Sequence, residues 1–379
     1  MLTRAINIAV ISDIHLGHKR NKAVNIIKNL DKCFSNNKAL AGLDIVFLAG
    51  DVFDELLHLD DPAVGHIKLW IARLLRRCHQ LKIKVRVLEG TPSHDRKQSI
   101  LFVTLNEINS KSGDKLCDLK YIDVLGIEHF AEYDLNVLYI PDEWGTNAQD
   151  CLDQVKAKLV EKGLAAVDCS IMHGMFGYQV PAGLTHLPHH DEQEYLDLTL
   201  GPIFIGHIHK HSTYSRIIAQ GSADRLSHNE EEPKGYVRAT VDTDLSFTAT
   251  FIENKDAAIY KTIKIQTDDI TDVLMYIDSE LKDVPLESNV RIEAHYTNPI
   301  LSNLSVIKDR WPGYTWASIA RGKETKVSDV MIDHKHKYVP VVLDRQTIKP
   351  LLLARLQRLS LNPILITTAT KSLNEVLLM

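Results

Sequence analysis

A chain of 379 residues is too long for one ordinary hydrophobic core, so two domains, or one plus an appendage, are expected. Its composition, 45% hydrophobic and 25% charged, is that of a soluble globular protein and excludes low-complexity and tandem-repeat classes. No apolar run approaches the length of a bilayer span, and Met1–Ile6 leads into a strand without the h-region of a signal peptide. Five cysteines (33, 78, 117, 151, 169) are odd in number and widely spaced, which argues against a disulfide framework or a zinc knuckle. The expectation is a cytoplasmic protein with no membrane partner. The net charge of −5 hides an asymmetry: residues 281–379 hold 14 Lys/Arg against 9 Asp/Glu. That basic excess fits a polyanion partner or plain solvated surface.

In chain order, Ile6–Ile11 reads as a buried strand broken by Ser12-Asp13. Lys22–Phe34 has helical spacing, with Val24, Ile27, Leu30 and Phe34 on one face. Asp44–Ala49 is a second strand, ending at Gly50-Asp51. Pro62 opens a helix to about His79, with Ile67, Trp70, Ile71, Leu74 and Cys78 as its inner stripe and Arg73, Arg76 and Arg77 largely outside. Lys84–Leu88 is a third strand, ending at Glu89-Gly90. Strand, helix, strand, helix, strand is a parallel βαβ pattern. Beyond residue 100 the helices lose definition, but strands recur at Leu135–Ile140, Ser170–Met172, Ile203–Ile205 and Ser215–Ala219. Tyr236–Val241 and Phe247–Ile252 form a hairpin at a sheet edge. The pattern changes around Glu253–Asp256, where a domain boundary is placed. A small α+β unit follows, with strands Tyr260–Ile265 and Asn289–Ala294 and a helix near Ile270–Leu281. A Leu- and Arg-rich helix at Lys349–Leu359 and a strand at Pro363–Thr368 close the chain.

Five clusters of metal-ligand type stand where these apolar runs stop: Asp13-Ile14-His15, Gly50-Asp51-Val52-Phe53-Asp54, Ser93-His94-Asp95, His173-Gly174 and Gly206-His207-Ile208-His209. An α/β sheet delivers ligands to the carboxyl ends of its strands in this way. Asp13 and His15, two apart, can reach one ion while Ile14 points away. Asp51 is the natural bridging carboxylate between two ions, with the alternative that it merely caps a helix. His207 and His209 repeat the alternation, and His173 could complete the second ion. Asp, His and hydroxyl oxygens suit two hard or borderline divalent cations, and the chain reads as a two-metal hydrolase. His94, held in orientation by the adjacent Asp95, is placed to protonate a leaving oxygen. By contrast, His186, His189 and His190 read as ordinary loop histidines.

The order Asp-x-His, Gly-Asp-x-x-Asp, a Gly…His-Asp segment, His-Gly, then Gly-His-x-His resembles the calcineurin-like metallophosphoesterases. Ser12–Gly17, Gly50–Asp54 and Gly221-Ser222-Ala223-Asp224-Arg225-Leu226-Ser227, followed by an acidic run and Lys234-Gly235-Tyr236, are similar to the SbcD-type nuclease subunit of DNA repair complexes. The motifs span about residues 6–255. The resemblance implies an α/β metallophosphoesterase sandwich over 1–255, a smaller α+β cap over 256–340 that contacts DNA, and a C-terminal segment over 341–379 for partner docking. It also implies that Asp13, His15, Asp51 and His209 hold one ion and Asp51, His173 and His207 the other. Two divalent ions, manganese by family habit, and His94 as the catalytic histidine complete the expected site, with Asp54 and Asp95 supporting. His18, Lys19 and Arg20, after the first metal loop, are expected to contact phosphates. Expected partners are DNA, an SbcC-type SMC-like ATPase docking on 349–359, and a second copy of the chain through the helices after residues 17 and 54.

One departure stands out. The family has Gly-Asn-His-Asp with Asn as a ligand of the second metal, whereas here the segment is Gly90-Thr91-Pro92-Ser93-His94-Asp95. It is two residues longer and puts Ser93 in the Asn slot, unless the longer loop brings Thr91 or a water there instead. A serine ligand predicts weaker binding of the second ion. The alternatives to a DNA exo/endonuclease are a phosphodiesterase for a small substrate and an inactive scaffold that regulates the ATPase.

Overall fold

Three short runs of β-branched and aliphatic residues at the start of the chain can bury both faces only in a covered parallel sheet, and each becomes a central strand. The computed structural model describes residues 2–58, 60–108, 116–142, 147–181, 183–184 and 186–322. In chain order it begins β1 (Ile6–Ile11), α1 (Ala23–Cys33), the single turn α2 (Asn37–Leu40), β2 (Ile45–Ala49), α3 (Pro62–Gln80), β3 (Lys84–Leu88), α4 (Ile100–Ile108) and β4 (Leu119–Ile122). It continues β5 (Gly126–Phe130), β6 (Leu135–Ile140), α5 (Ala148–Lys162), β7 (Cys169–His173), α6 (Glu192–Leu198), β8 (Ile203–Gly206), β9 (Ser212–Tyr214), β10 (Ile217–Ala219), β11 (Gly235–Val241) and β12 (Phe247–Glu253). The protein is mixed α/β with two six-stranded sheets, in the orders β12-β11-β1-β2-β3-β4 and β5-β6-β7-β8-β10-β9. Strands β1 to β4 run parallel, and β11 returns antiparallel along β1 with β12 at the edge.

The two sheets face each other. Their shared core joins Ile8, Val10 and Phe47 of the first to Val137, Tyr139 and Phe204 of the second. The rings of Phe47 and Tyr139 stand 6.3 Å apart across it. Towards one edge the buried Arg86 of β3 forks onto Glu128 of β5, at 2.9 and 3.0 Å, a bidentate pair that fixes one sheet against the other. The outer face of the first sheet packs under α1, α3 and α4, and that of the second under α5 and α6. In α3 the expected stripe of Ile67, Trp70, Ile71, Leu74 and Cys78 is wholly buried, and Asp61 caps the helix through the Ala63 N–H just before Pro62. In α1 three of the four expected stripe residues, Ile27, Leu30 and Phe34, are buried, and only Val24 is not. Val24 is 46% exposed, and Ile26 takes its place beside Ile27 and Leu30. A helix entered at Ala23 turns residues 23, 26, 27 and 30 inward, on the i, i+3, i+4, i+7 pattern.

Past residue 100 the expected strands form, with β10 starting only at Ile217 after a turn at Ser215-Arg216 and with β9 added beside it. A third sheet begins at β13 (Tyr260–Lys264), beyond the change of pattern near residue 255, and holds β14 (Asn289–His295) and β15 (Thr315–Arg321) in parallel. Helices α7 (Ile270–Leu281) and α8 (Leu304–Arg310) cover it around a core of its own, including Ile263, Ile277, Ile292 and Trp316. Among the described residues no helix is long and apolar enough to cross a membrane. The expectations for residues 323–379, the docking helix at 349–359 and the strand at 363–368 among them, lie outside the described residues.

Register sets up the site. Ile11 lies opposite Leu48, so the loops after β1 and β2 leave the sheet side by side. They stay zipped beyond the strands: Asp13 N–H donates to Gly50 O, Ile14 and His15 N–H to Asp51 O, and Leu16 N–H to Val52 O. In the second sheet His173 lies opposite Gly206, which sets His207 beside it.

Candidate metal centre

Four residues on these strand ends adopt a backbone that side chains rarely accept. Asp13, His15 and Asp51 have φ of 51°, 53° and 49°, and His207 has 98°. Asp and His tolerate positive φ better than most residues, yet each instance still costs roughly 1–3 kcal/mol unless its surroundings enforce it. Crowding shows how it is enforced. A Cβ on Gly50 would strike the His173 ring, and one on Gly90 would strike the backbone and carboxylate of Asp51. The two glycines let three strand ends converge closer than any other residue would permit.

What converges is three overlapping groups of side chains able to hold a cation: Asp13, His15 and His209; His15, Asp51 and His94; Asp51, His173 and His207. Asp13, His15, Asp51 and His173 are buried. His94, His207 and His209 are open by 37%, 36% and 28% of their side chains, so they form the mouth. The sequence expectation thus comes together in one place, with Asp51 shared between the groups.

The hydrogen bonds behind the rings say where their lone pairs point. His15 Nδ1 is 3.0 Å from Asp54 Oδ1, and His209 Nδ1 is 3.3 Å from Glu230 Oε1. A carboxylate can only accept, so each Nδ1 carries the proton and each Nε2 of the neutral ring is a bare lone pair. Those two Nε2 atoms face each other at 3.1 Å. His173 repeats the pattern: Nδ1 donates to Ala49 O at 2.8 Å, and Nε2 looks onto Asp51 Oδ2 at 3.4 Å. Acceptors that oppose one another at such distances repel unless a proton or a cation lies between them. The donor set, imidazole nitrogens and carboxylate oxygens, fits a borderline or hard divalent ion.

The charges agree. Burial alone would push Asp51 up, but His173, His15 and His94 overrule it and hold its carboxyl well below the usual range. Burial disfavours a charged His173, yet Asp51, Asp13 and Asp142 raise it well above an ordinary histidine. His207 is lowered by burial and by His173 beside it. His209 is raised, because Glu230 and Asp13 outweigh its burial. A pocket that pulls protons onto buried imidazoles is a pocket of negative potential.

Two expectations are corrected. Ser93 does not reach the site: the loop turns on His94 N–H and Asp95 N–H bonding to Thr91 O at 2.9 and 3.0 Å, which leaves Ser93 exposed on the outside. Thr91 stands there instead, its N–H on Asp51 Oδ1 at 2.6 Å and its Oγ1 3.2 Å from Asp51 Oδ2. Nor does Asp95 orient His94. The His94 ring is held by Asp54 O, 2.7 Å from its Nδ1, while the buried Asp95 accepts the N–H groups of Phe53 and Gly90. Burial, with the Asp51 charge nearby, pushes Asp95 up to about 8. Its work is to tie the β2 and β3 loops together.

His18, Lys19 and Arg20 line the loop after the first cluster. His18 Nδ1 accepts the N–H groups of Arg20 and Asn21 at 3.3 and 3.1 Å, Lys19 pairs with Glu55, and Arg20 is exposed. The Gly221–Ser227 element also has a physical job. Ser222 bridges to Ser12, and Asp224 gathers Asn29, Arg225 N–H and Ala258 N–H. It braces the loop after β1 against α1 and the segment that leads to the third sheet.

Sequence reasoning missed three residues. Asp142 follows the end of β6, the same strand-end signal that marked the other ligands. Glu230 and the fully buried Lys234, four apart, back the mouth: Lys234 Nζ reaches His209 O at 2.9 Å and Glu230 at 3.1 Å. Burial would raise Glu230, but His209 and Lys234 hold it at about 2.

No family model and no curated protein matches the chain. Among solved structures, GAP50, described as the anchor in the inner membrane complex of Plasmodium, is similar at 14% identity over 67% of this chain and 86% of that one, with a TM-score of 0.41. A second covers 65% of this chain and 99% of its own at 10% identity, with a TM-score of 0.36. Likenesses this distant carry no argument about fold family or activity.

Proposed function

We propose that this chain is a metal-dependent phosphodiesterase with the calcineurin-like metallophosphoesterase sandwich, and that it cleaves DNA as the nuclease subunit of an SbcCD-like complex. The observation that carries the reading is the opposition of the His15 and His209 lone pairs beside the buried Asp51 carboxylate, which His173 meets from the other side. Asp13, His15, Asp51 and His209 would hold one divalent ion and Asp51, His173 and His207 the other, manganese being the ion the motif resemblance implies. Bound there, such ions supply Lewis acidity to a phosphodiester and to the water that attacks it.

The chain's own residues do the rest. Asp54 O keeps the proton of His94 on Nδ1 and aims Nε2 at the mouth, so an imidazolium at His94 can donate from Nε2 to the leaving oxygen. Asp54 also orients His15, which couples the acid to the first ligand group. A groove of about 670 Å³ runs between Arg20, Lys22, Lys28 and Lys32 on one side and Pro285 and Pro312 on the other. Asp256, paired with Lys32, and Glu287 also line it, so four cations face two carboxylates. That net excess of two cations supports a polyanionic substrate over a small diester. Exposed Val24 on α1 and Leu69 on α3 suit the expected self-association through those helices. Docking of an SbcC-type ATPase would fall on residues outside the described part.

Linear DNA and a chromogenic phosphodiester, each with manganese, compared between wild type and His94→Ala, test the proposal. Loss of about 10²–10⁴-fold in rate on both substrates is expected. Activity confined to the small diester would favour a small-substrate enzyme, and silence of the wild type on both would favour a scaffold.

A further inference from the structure

Strand β12 is the outer edge of the first sheet, and among the described residues no strand pairs with its far side. Which residues face that side follows from the hairpin. Asp242 N–H donates to Ser246 O at 2.8 Å, so the even-numbered residues of β11 and β12 turn their N–H and C=O groups towards each other. Gly235 shows the same alternation at the other end, its N–H pointing away from β12 to Ser222 O. The backbone groups of Phe247, Ala249 and Phe251 therefore point outward from the sheet. Exposed edges are normally kept short or blunted by a lysine, a proline or a bulge. At seven residues β12 is long, its register with β11 is unbroken, and it holds no lysine or proline. Its middle residues, Thr248, Ala249 and Thr250, are exposed and uncharged.

We infer that β12 is a self-pairing edge, which takes the β12 of a second copy of this chain in antiparallel register about a two-fold axis at Ala249. The sequence decides the occupant. Phe247-Thr248-Ala249-Thr250-Phe251 reads the same in both directions. A two-fold at Ala249 therefore sets Phe247 opposite Phe251, Thr248 opposite Thr250 and Ala249 opposite itself. Aromatic pairs and Thr–Thr pairs are among the cross-strand neighbours that stabilise a sheet. A centre at Thr250 would instead set Ala249 against Phe251 and Thr248 against Ile252. The axis at Ala249 also falls on outward-pointing groups, so Ala249 and its copy exchange both backbone bonds, as do Phe247 and Phe251. Phe247 and Phe251 already lean on the core between the sheets, where the His211 ring stacks on Phe251 at 4.4 Å. Pairing continues that apolar layer from one copy into the next. The one charge on the strand, Glu253, stands at its end and falls opposite Leu245 of the copy. The contact is separate from the faces of α1 and α3 and does not depend on the metal reading.

Disulfide trapping of the full chain tests the register. In such a pair the Cα atoms of Ala249 and its copy lie about 5.5 Å apart, within reach of a disulfide. Ala249→Cys should give a covalent dimer under mild oxidation. A mixture of Thr248→Cys and Thr250→Cys chains should give a dimer that holds one of each. Glu253→Cys should give none, because its two copies would lie about 27 Å apart at about 3.4 Å per residue. Light scattering gives a second reading. Ala249→Pro removes an outward N–H and leaves the ladder to β11 whole, so the associated mass should fall by about twofold. A thermal melt checks that this variant folds. An Ala249→Cys chain that stays monomeric would overturn the inference. So would trapping at Glu253 as ready as at Ala249, or a mass that Ala249→Pro leaves unchanged.

Discussion

The two halves of the centre are built on different supports. In the half formed by Asp13, His15 and His209, both imidazoles are backed by carboxylates, Asp54 and Glu230, carried on loops. In the half formed by Asp51, His173 and His207, His173 is backed by the carbonyl of Ala49, part of strand β2 itself. A carboxylate behind a histidine makes it a more basic ligand and can be altered by one substitution. A strand carbonyl gives less electrostatic help but fixes the ring as rigidly as the sheet. The first half is therefore tunable, while both halves reach the mouth, through His209 and His207. The second is fixed and, at His173, wholly buried.

The sharpest way to separate the halves is acid. Behind the second half, the segment after β7 packs His190 against Phe176 and Tyr195, and burial, with His189 adding to it, lowers that imidazole to about 3. The unfolded chain, near 6.5, takes up the proton first as pH falls. The contribution to stability is thus complete above pH 6.5 and is lost progressively on the way down to 3. By pH 4.5 the loss amounts to about 2–3 kcal/mol. Glu230, behind the first half, behaves differently: held at about 2 against an ordinary 4.5, it gives up its share only below pH 4.5. The raised Asp95 gains stability over the same range, so the test is the difference between proteins. In denaturant melts of the metal-free forms, wild type should lose about 2–3 kcal/mol relative to His190→Phe between pH 7 and pH 4.5. A difference that does not change with pH would contradict the assignment.

A second contrast comes from Glu230→Gln. The amide keeps the shape, but it neither raises His209 nor answers Lys234, so the first half alone should weaken, by about 10–100-fold in Mn2+ affinity. Equal weakening of both ions would mean that the halves act as one unit.

Much of this division was legible in the sequence, and what was not has physical reasons. Runs such as Ile45–Ala49 announce buried strands because nothing but a covered parallel sheet accepts them, and ligands placed at their ends follow from the same reading. Helix α4 was not legible: Ile-Leu-Phe-Val-Thr-Leu is apolar on every side, and a short run of that kind reads equally as strand. In α5 the buried stripe of Cys151, Leu152, Val155 and Leu159 is blurred by Val160, which faces solvent. Glu230 sits in an acidic run whose neighbour Glu231 is exposed, and sequence cannot say which carboxylate turns inward. Asp142 is one aspartate after one strand. Only the packing of β6 beside β7 in the second sheet makes it a neighbour of His207.

The smallest expected effect is the most pointed. Ser93 occupies the position where a motif alignment places a metal ligand, yet its side chain lies outside the turn that begins at Thr91. If the centre is assembled as described, Ser93→Ala should change stability by no more than about 0.5 kcal/mol and leave Mn2+ binding in both halves untouched. A loss of the second ion in that variant would mean that the loop reorders on binding and brings Ser93 to the ion. The fixed half of the centre would then be the mobile one.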